Sequence, residues 1–323
     1  MPRRRMSRAR LSKRRFATSG EVFPLDILIP FVESDDDAWL DVFCMAKHFK
    51  FRTERARKVM FKPFRRRYSS HGLFKYWWRA LEKNYKSLTR VHLLLMQPSQ
   101  FPSYLNRDDP RIVVHYHNEY IPASCRPCFN SSTIELCAIN ELGLEGNFIL
   151  SNDDMYVNAP CDDSCFEQDG KPLTFIETRE PYGTINQFRQ TLMNGHRLVS
   201  THLGRDIPYF KWHHLFQVYN AEFCKEFLDK EWGTISKGLG KWRSSGDYNH
   251  MMLMMLQNAT GFSVSSEKFP HRGYYEMPRF TSATYEKADS SKVVCFNDTD
   301  GQSIRMTAEY LAKRYPDKCS FEL

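Results

Sequence analysis

Apolar residues in this chain fall into short runs that alternate with helix-spaced stripes, and the alternation predicts a fold class before any single residue is interpreted. Residues 25–32 form an apolar run with β-branched members, read as a buried strand. Asp35 to Asp37 then supply N-capping groups for a helix with Trp39, Val42, Phe43 and Ala46 on one face. Residues 51–67 are strongly basic and broken by Pro63, so they read as a loop or interrupted helix. Leu73, Tyr76, Trp77, Ala80 and Leu81 make a second helical stripe, and residues 91–96, 112–115 and 147–151 are strand candidates. Ser132-x-x-Glu135 matches a capping box that opens a helix to about Leu142. This rhythm predicts an α/β fold, a Rossmann-like, mostly parallel sheet flanked by helices, with ligands beyond the carboxyl ends of its strands.

Past Pro160 the pattern loosens, with helices expected near 185–193, 214–232 and 248–257, a late strand at 293–296 and a terminal helix at 303–315. The reading is a basic, disordered arm over residues 1–20 and one catalytic domain over 21–323. Residues 160–290 form a largely helical insertion or cap in it. If residues 293–296 pair with the early strands, the two ends of the chain meet in one sheet. The helix-spaced Met251, Met252, Met254 and Met255 read as core.

Composition sharpens this picture only in part. Across 323 residues, 41% hydrophobic content excludes global disorder. The net charge of +8 resides in the arm, because eight basic residues and no acid precede residue 21, leaving 38 basic against 38 acidic residues in the body. The basic pI therefore describes the arm, which could touch an anionic membrane face; no specific nucleic acid is expected. Without an apolar run of spanning length or a secretory signal, a cytoplasmic enzyme is the simplest expectation, peripheral at the inner face of the membrane through its arm. Nine dispersed cysteines fit reduced thiols. The pairs Cys125/Cys128 and Cys161/Cys165 also have the spacing to close a tetrahedral zinc site, and both readings stand at this point.

Two strand ends carry acids. The run Phe148-Ile-Leu-Ser ends in Asn152, Asp153 and Asp154, and Glu33, Asp35, Asp36 and Asp37 follow the first strand. Hard divalent cations take oxygen ligands and bridge carboxylates to diphosphates, so strand-end acid pairs suit a nucleotide-sugar site; turn formation and helix capping are the structural alternatives.

In order and spacing these residues resemble the Stealth family. Asp26 to Trp39 is similar to its first block. Arg67-Tyr68, Gly72 to Arg79, Leu105-Asn106, Pro127 to Glu135 and Asn152 to Met155 are similar to its second. His202, Pro208 and Lys211 with Trp242-Arg243-Ser244 and Asp247 resemble its third, and Lys292 to Asp298 its fourth. The resemblance implies transfer of a hexose-1-phosphate from a nucleotide-sugar, a UDP-sugar foremost, to an oligosaccharide or polysaccharide hydroxyl, with a divalent cation, Mg²⁺ or Mn²⁺, and release of nucleoside monophosphate. It further implies Asp153 and Asp154 as metal ligands. Arg243 becomes the phosphate-pairing group and His202 the base, with Glu33 or Asp36 the competing bases. Asn130, Asn152, Lys211, Asp247, Asn297 and Asp298 are implied as donor or acceptor contacts, although Asn130 also reads simply as an N-cap. The chain departs from the family where Trp-Val-Asp-Gly becomes Phe31-Val32-Glu33-Ser34 and where Arg-Asp becomes Ser69-Ser70. The alternatives are an ordinary glycosyltransferase releasing nucleoside diphosphate, and a non-catalytic protein that binds glycan or nucleic acid.

Overall fold

The computed structural model describes residues 25–87, 90–178, 186–266, 272–298 and 304–323; the basic arm over 1–20 lies outside the described residues. The first half of the chain builds β1 (Asp26–Pro30), α1 (Asp37–Ala46), α2 (Glu54–Phe61), α3 (Phe74–Asn84), β2 (Val91–Leu95), β3 (Ile112–Tyr116), α4 (His117–Tyr120), α5 (Ser131–Glu141) and β4 (Asn147–Leu150). The four strands are mutually parallel in the order β3-β2-β1-β4. Helical crossovers cover both faces of such a sheet, which is why β1 and β2 are apolar without a strict alternation. Ile27, Ile29, Leu93 and Leu95 enter one core together with α3, while Leu28, Leu94, Phe148 and Leu150 enter the other with α5. Strand order reverses between β1 and β4, and a crevice opens at such a switch point.

The second half adds β5 (Met155–Val157), β6 (Glu167–Gln168), β7 (Lys171–Thr178), α6 (Gln187–Leu203), β8 (Lys211–Trp212), β9 (Gln217–Asn220), α7 (Ala221–Ile235), α8 (Met251–Ala259), β10 (Val264–Ser266), β11 (Arg272–Glu276), α9 (Tyr285–Asp289), β12 (Val293–Asn297) and α10 (Arg305–Arg314). Residues 160–290 hold strands as well as helices. β9 extends the main sheet antiparallel to β4, and β7 collects β6, β8 and β10 into a second sheet. The helix expected at 214–232 is therefore a strand followed by α7, whose N-cap Asn220 accepts from the Phe223 amide. β12 joins β11 and β5 in a third sheet and leaves the early strands alone. The chain ends meet by another route, since Arg79 of α3 pairs with Glu322 at 2.6 Å.

Local chemistry explains the remaining differences. Asn130, not Ser132, caps α5, because its Oδ1 accepts from the Ser132 amide at 3.1 Å. Pro63 does interrupt residues 51–67, and α2 passes into a 3-10 turn, Lys62–Tyr68, but Arg57 and Phe61 are buried, so the segment is packed. The four methionines of α8 are core residues. Gly195 of α6 is needed for that packing, since a Cβ there would sit 2.8 Å from the Met252 Cβ. Among the described residues no helix is long and apolar enough to cross a membrane.

Candidate active site

The crevice at the switch point is a cleft of about 470 Å³. β4 ends at Leu150, and the turn after it is held by the Met155 amide donating to Asn152 O at 3.1 Å. The next strand, β5, departs into the third sheet, where the Phe296 amide donates to Asp154 O at 2.9 Å. Asn152, Asp153 and Asp154 are thus pinned by backbone between two sheets, and all three line the cleft. Behind the same rim lies Glu33, just past β1. Its carboxylate accepts from Ser70 Oγ at 2.6 Å and from Ser69 Oγ at 3.4 Å. Both serines line the cleft, as do Arg66, Arg67, Glu135, His214, Arg243, Asn297 and Asp298. Arg243 Nη2 donates to Ser131 Oγ at 2.7 Å, which aims the guanidinium beside the start of α5. His71 Nε2 lies 2.8 Å from Asp298 Oδ2 and ties the turn after Ser70 to the end of β12.

Carboxyl groups of Glu135, Asp153, Asp154 and Asp298 share the wall with the guanidinium groups of Arg66, Arg67 and Arg243. Burial, then the neighbouring Asp154 and Glu33 carboxylates, drive the Asp153 carboxyl well above its ordinary range. Asp154 Oδ1 is buried without a hydrogen-bond partner. Asp154 Oδ2 stands 3.8 Å from His214 Nε2. Burial opposes the imidazolium of His214, but the carboxylates of Asp154 and Glu135 outweigh it and raise its pKa. A ligand atom of Cys295 joins those of Asp154 and His214 within 4.8 Å. Burial, followed by Asp154, pushes that thiol well up. Deeper in the wall, burial lifts Glu135 to about 7 and depresses His250 to about 3, the two side chains being 3.4 Å apart. Tyr219 Oη lies 2.6 Å from His250 Nδ1 and completes a buried polar chain behind His214.

The structure gathers only part of the expected set. Asn152, Asp153, Asp154, Arg243, Asn297 and Asp298 line the cleft, and Glu33 stands just behind it. Asp36 instead caps α1 through the Ala38 amide and is held by Ser99 Oγ at 2.6 Å and Gln100 Nε2 at 2.5 Å. Asn130 and Asp247 are buried partners, 2.9 Å apart, and Asp247 also accepts from the Ser244 amide and hydroxyl. They brace the loop that carries Arg243 against α5 and do not line the cleft. Lys211 lies in β8 against β7, also outside the lining. His202 is the clearest correction. It sits in the last turn of α6, 2.7 Å from Glu231 Oε1 and edge-on to Phe227, and is absent from the cleft wall. The zinc reading also fails among the described residues, for Cys125 and Cys128 belong to the core on one face of the main sheet and Cys161 and Cys165 to the core on the other. All nine thiols are free.

Residues not singled out from sequence are His214, Cys295 and Glu135. His214 was concealed inside an expected helix, although the His213-His214 pair ahead of an apolar stretch is an available signal. From sequence Glu135 reads as the partner of Ser132 in a capping box.

A model of the Stealth protein conserved region 2 matches residues 67–174, a stretch that opens on Arg67 and includes Ser70, Glu135, Asp153 and Asp154. Over this stretch the chain is similar to the Stealth family. Similar curated proteins include the capsular polysaccharide phosphotransferase WcwK of Streptococcus pneumoniae, 24% identical over 79% of this chain and 87% of that protein. The receptor polysaccharide phosphotransferase WefC of Streptococcus gordonii is 26% identical over the same shares. The exopolysaccharide phosphotransferase cps2G of Lactiplantibacillus plantarum is 32% identical over 48% of this chain and 42% of that one. Among solved structures, the galactosyltransferase LgtC in complex with donor and acceptor sugar analogs aligns with a TM-score of 0.41 and 10% identity, over 90% of this chain and 95% of that one.

Proposed function

We propose that this chain transfers a hexose-1-phosphate from a nucleotide-sugar, a UDP-sugar foremost, to a glycan hydroxyl in capsular or exopolysaccharide synthesis, releasing nucleoside monophosphate. The names of its relatives support the reaction class. One observation carries the reading to this cleft: the strand-end carboxyl groups of Asp153 and Asp154, the imidazole of His214 and the guanidinium groups of Arg67 and Arg243 all line it.

Phosphoryl transfer asks a protein mainly for positioning, charge neutralisation and the handling of one proton. An acceptor oxygen attacks the β-phosphorus of the donor, a new O–P bond forms, and the bridging P–O bond to the α-phosphate breaks. The anomeric C–O bond is untouched, so the configuration of the sugar is kept. Arg67 and Arg243 pair the phosphate oxygens with planar forks. His214, which lines the cleft, takes the hydroxyl proton.

The residues fit a divalent cation. Asp154 Oδ1 is a buried carboxylate oxygen with no partner, and Asp153 stands against two like charges. Asp153 and Asp154 would hold the ion, and their carboxylate oxygens suit Mg²⁺ or Mn²⁺. Such an ion supplies charge neutralisation at the diphosphate.

The test is a panel of UDP-sugars and a glycan acceptor with Mg²⁺ or Mn²⁺, followed by phosphorus NMR. Uridine monophosphate together with a new phosphodiester resonance is the expected outcome. Uridine diphosphate would point to an ordinary glycosyltransferase, and no turnover at all to a binding protein.

A further inference from the structure

Between Met45 and Arg67 the chain carries ten basic residues and a single acid, Glu54, although the body of the protein is balanced. Arg57 is paired with Asp37 and Asp41, Lys58 with Glu54 and Arg65 with Asp35, while Lys47 lies 3.7 Å from the ring centre of Trp242. Arg52, Arg55, Lys62, Arg66 and Arg67 are exposed just before α2, on it and along the turn that follows it. The charge does not stop at the cleft, because Arg66 and Arg67 form part of its wall. At the outer end of the same segment is a second hollow of about 280 Å³, lined by Phe51, Arg52, Thr53, Glu54 and Arg57.

We propose that α2 and the Lys62–Tyr68 turn form a docking stripe for the phosphodiester-bearing part of a growing acceptor glycan. The inference rests on the transfer reading above. Each transfer of a sugar-1-phosphate to a hydroxyl leaves a diester with one negative charge, so an acceptor that has been through several rounds is a polyanion. Its reactive end must lie in the cleft, and the chain behind it leaves past Arg66 and Arg67 onto a flank where positive charge is concentrated. Coulomb attraction to such a track raises the local concentration of acceptor and is screened by salt. A membrane is the weaker match. Met45 and Val59 are the only large apolar side chains among the described residues of this segment that are well exposed, and two separate residues make no apolar face.

The test uses the full chain and a variant, Arg52→Gln/Arg55→Gln/Lys62→Gln, that leaves the cleft lining unchanged. Fluorescence anisotropy is measured with a labelled glycerol-phosphate oligomer and a neutral dextran oligomer of equal length, alongside vesicles containing phosphatidylglycerol. Uridine diphosphate affinity and monophosphate release on a short neutral acceptor are followed in parallel. The parent should bind the phosphate oligomer in preference to dextran and lose affinity with added salt. The variant should lose about tenfold on the oligomer, with nucleotide affinity and turnover of the neutral acceptor retained. Arg52→Gln/Lys62→Gln should show a smaller loss in the same direction if the triple variant folds poorly by circular dichroism. Equal affinity of parent and variant for the oligomer, or of the parent for oligomer and dextran, overturns the stripe. A loss confined to vesicles overturns it too and reassigns the surface to lipid. The underlying reading fails separately: if the parent releases no monophosphate from any UDP-sugar, the transfer proposal falls whatever the oligomer does.

Discussion

Ser70 Oγ donates a 2.6 Å hydrogen bond to Glu33 Oε2, joining two positions at which this chain departs from the Stealth pattern it resembles. The acid after β1 is longer by a methylene, and the residue that reaches it from the turn before α3 is a hydroxyl where the family has a carboxylate. Two carboxylates there would face each other beside Asp153; one carboxylate and one hydroxyl form a bond instead. Ser70→Ala should therefore free Glu33 and lower kcat about tenfold, equivalent to about 1.4 kcal/mol. Because the residues touch, Ser70→Ala with Glu33→Gln should cost less than the sum of the two single changes in steady-state kinetics.

Asp153→Asn and Asp154→Asn should each fold and lose transfer by orders of magnitude, as measured by monophosphate release. Thermal melts in chelator add a second readout. The folded pKa of Asp153 is raised above its unfolded value, so the cation-free parent loses stability as pH rises above about 4. Asp153→Asn lacks that loss. It should melt higher than the parent at pH 8, with the difference closing toward pH 4.

The two histidines separate the geometric assignment from the order of residues in the chain. His214→Ala should lower kcat on the order of 10² to 10⁴, whereas His202→Ala should leave the rate within a factor of about three and cost on the order of 1 kcal/mol of stability through the lost Glu231 contact. Asp154 and Glu135 raise the pKa of His214, and a base must be neutral to act. The acid limb of the kcat/KM profile should therefore lie above about 6.5 and disappear with His214→Ala.

Glu135 makes a pH prediction of its own. Its folded pKa of about 7 exceeds the ordinary value of 4.5, so the folded state keeps a proton that the unfolded chain gives up between those values. Stability falls as pH rises across that window, by on the order of 3 kcal/mol, and levels off above it. Glu135→Gln should abolish this decline in urea titrations at pH 5 and pH 8. The depressed His250 acts in the opposite sense, since stability is lost as pH falls below 6.5; that acid-side loss should persist in the variant.

Periodicity and local composition determined a great deal of this protein. The runs at β1, β2, β3 and β4 are apolar because strands covered on both faces tolerate little else, so the α/β class and the acids at two strand ends were legible in one dimension. Ordered motifs pointed to the family. Only the tertiary structure decided which polar groups share a cleft. His202 and His214 are twelve positions apart and chemically identical on paper, but the first meets Glu231 on α7 while the second meets Asp154 across the end of β4. Likewise the four cysteines have workable spacings in pairs, and the main sheet stands between the pairs. Spacing along a chain constrains neighbours within an element. The distance between elements is set by strand order and by which face each helix covers, and those follow from packing the whole core at once.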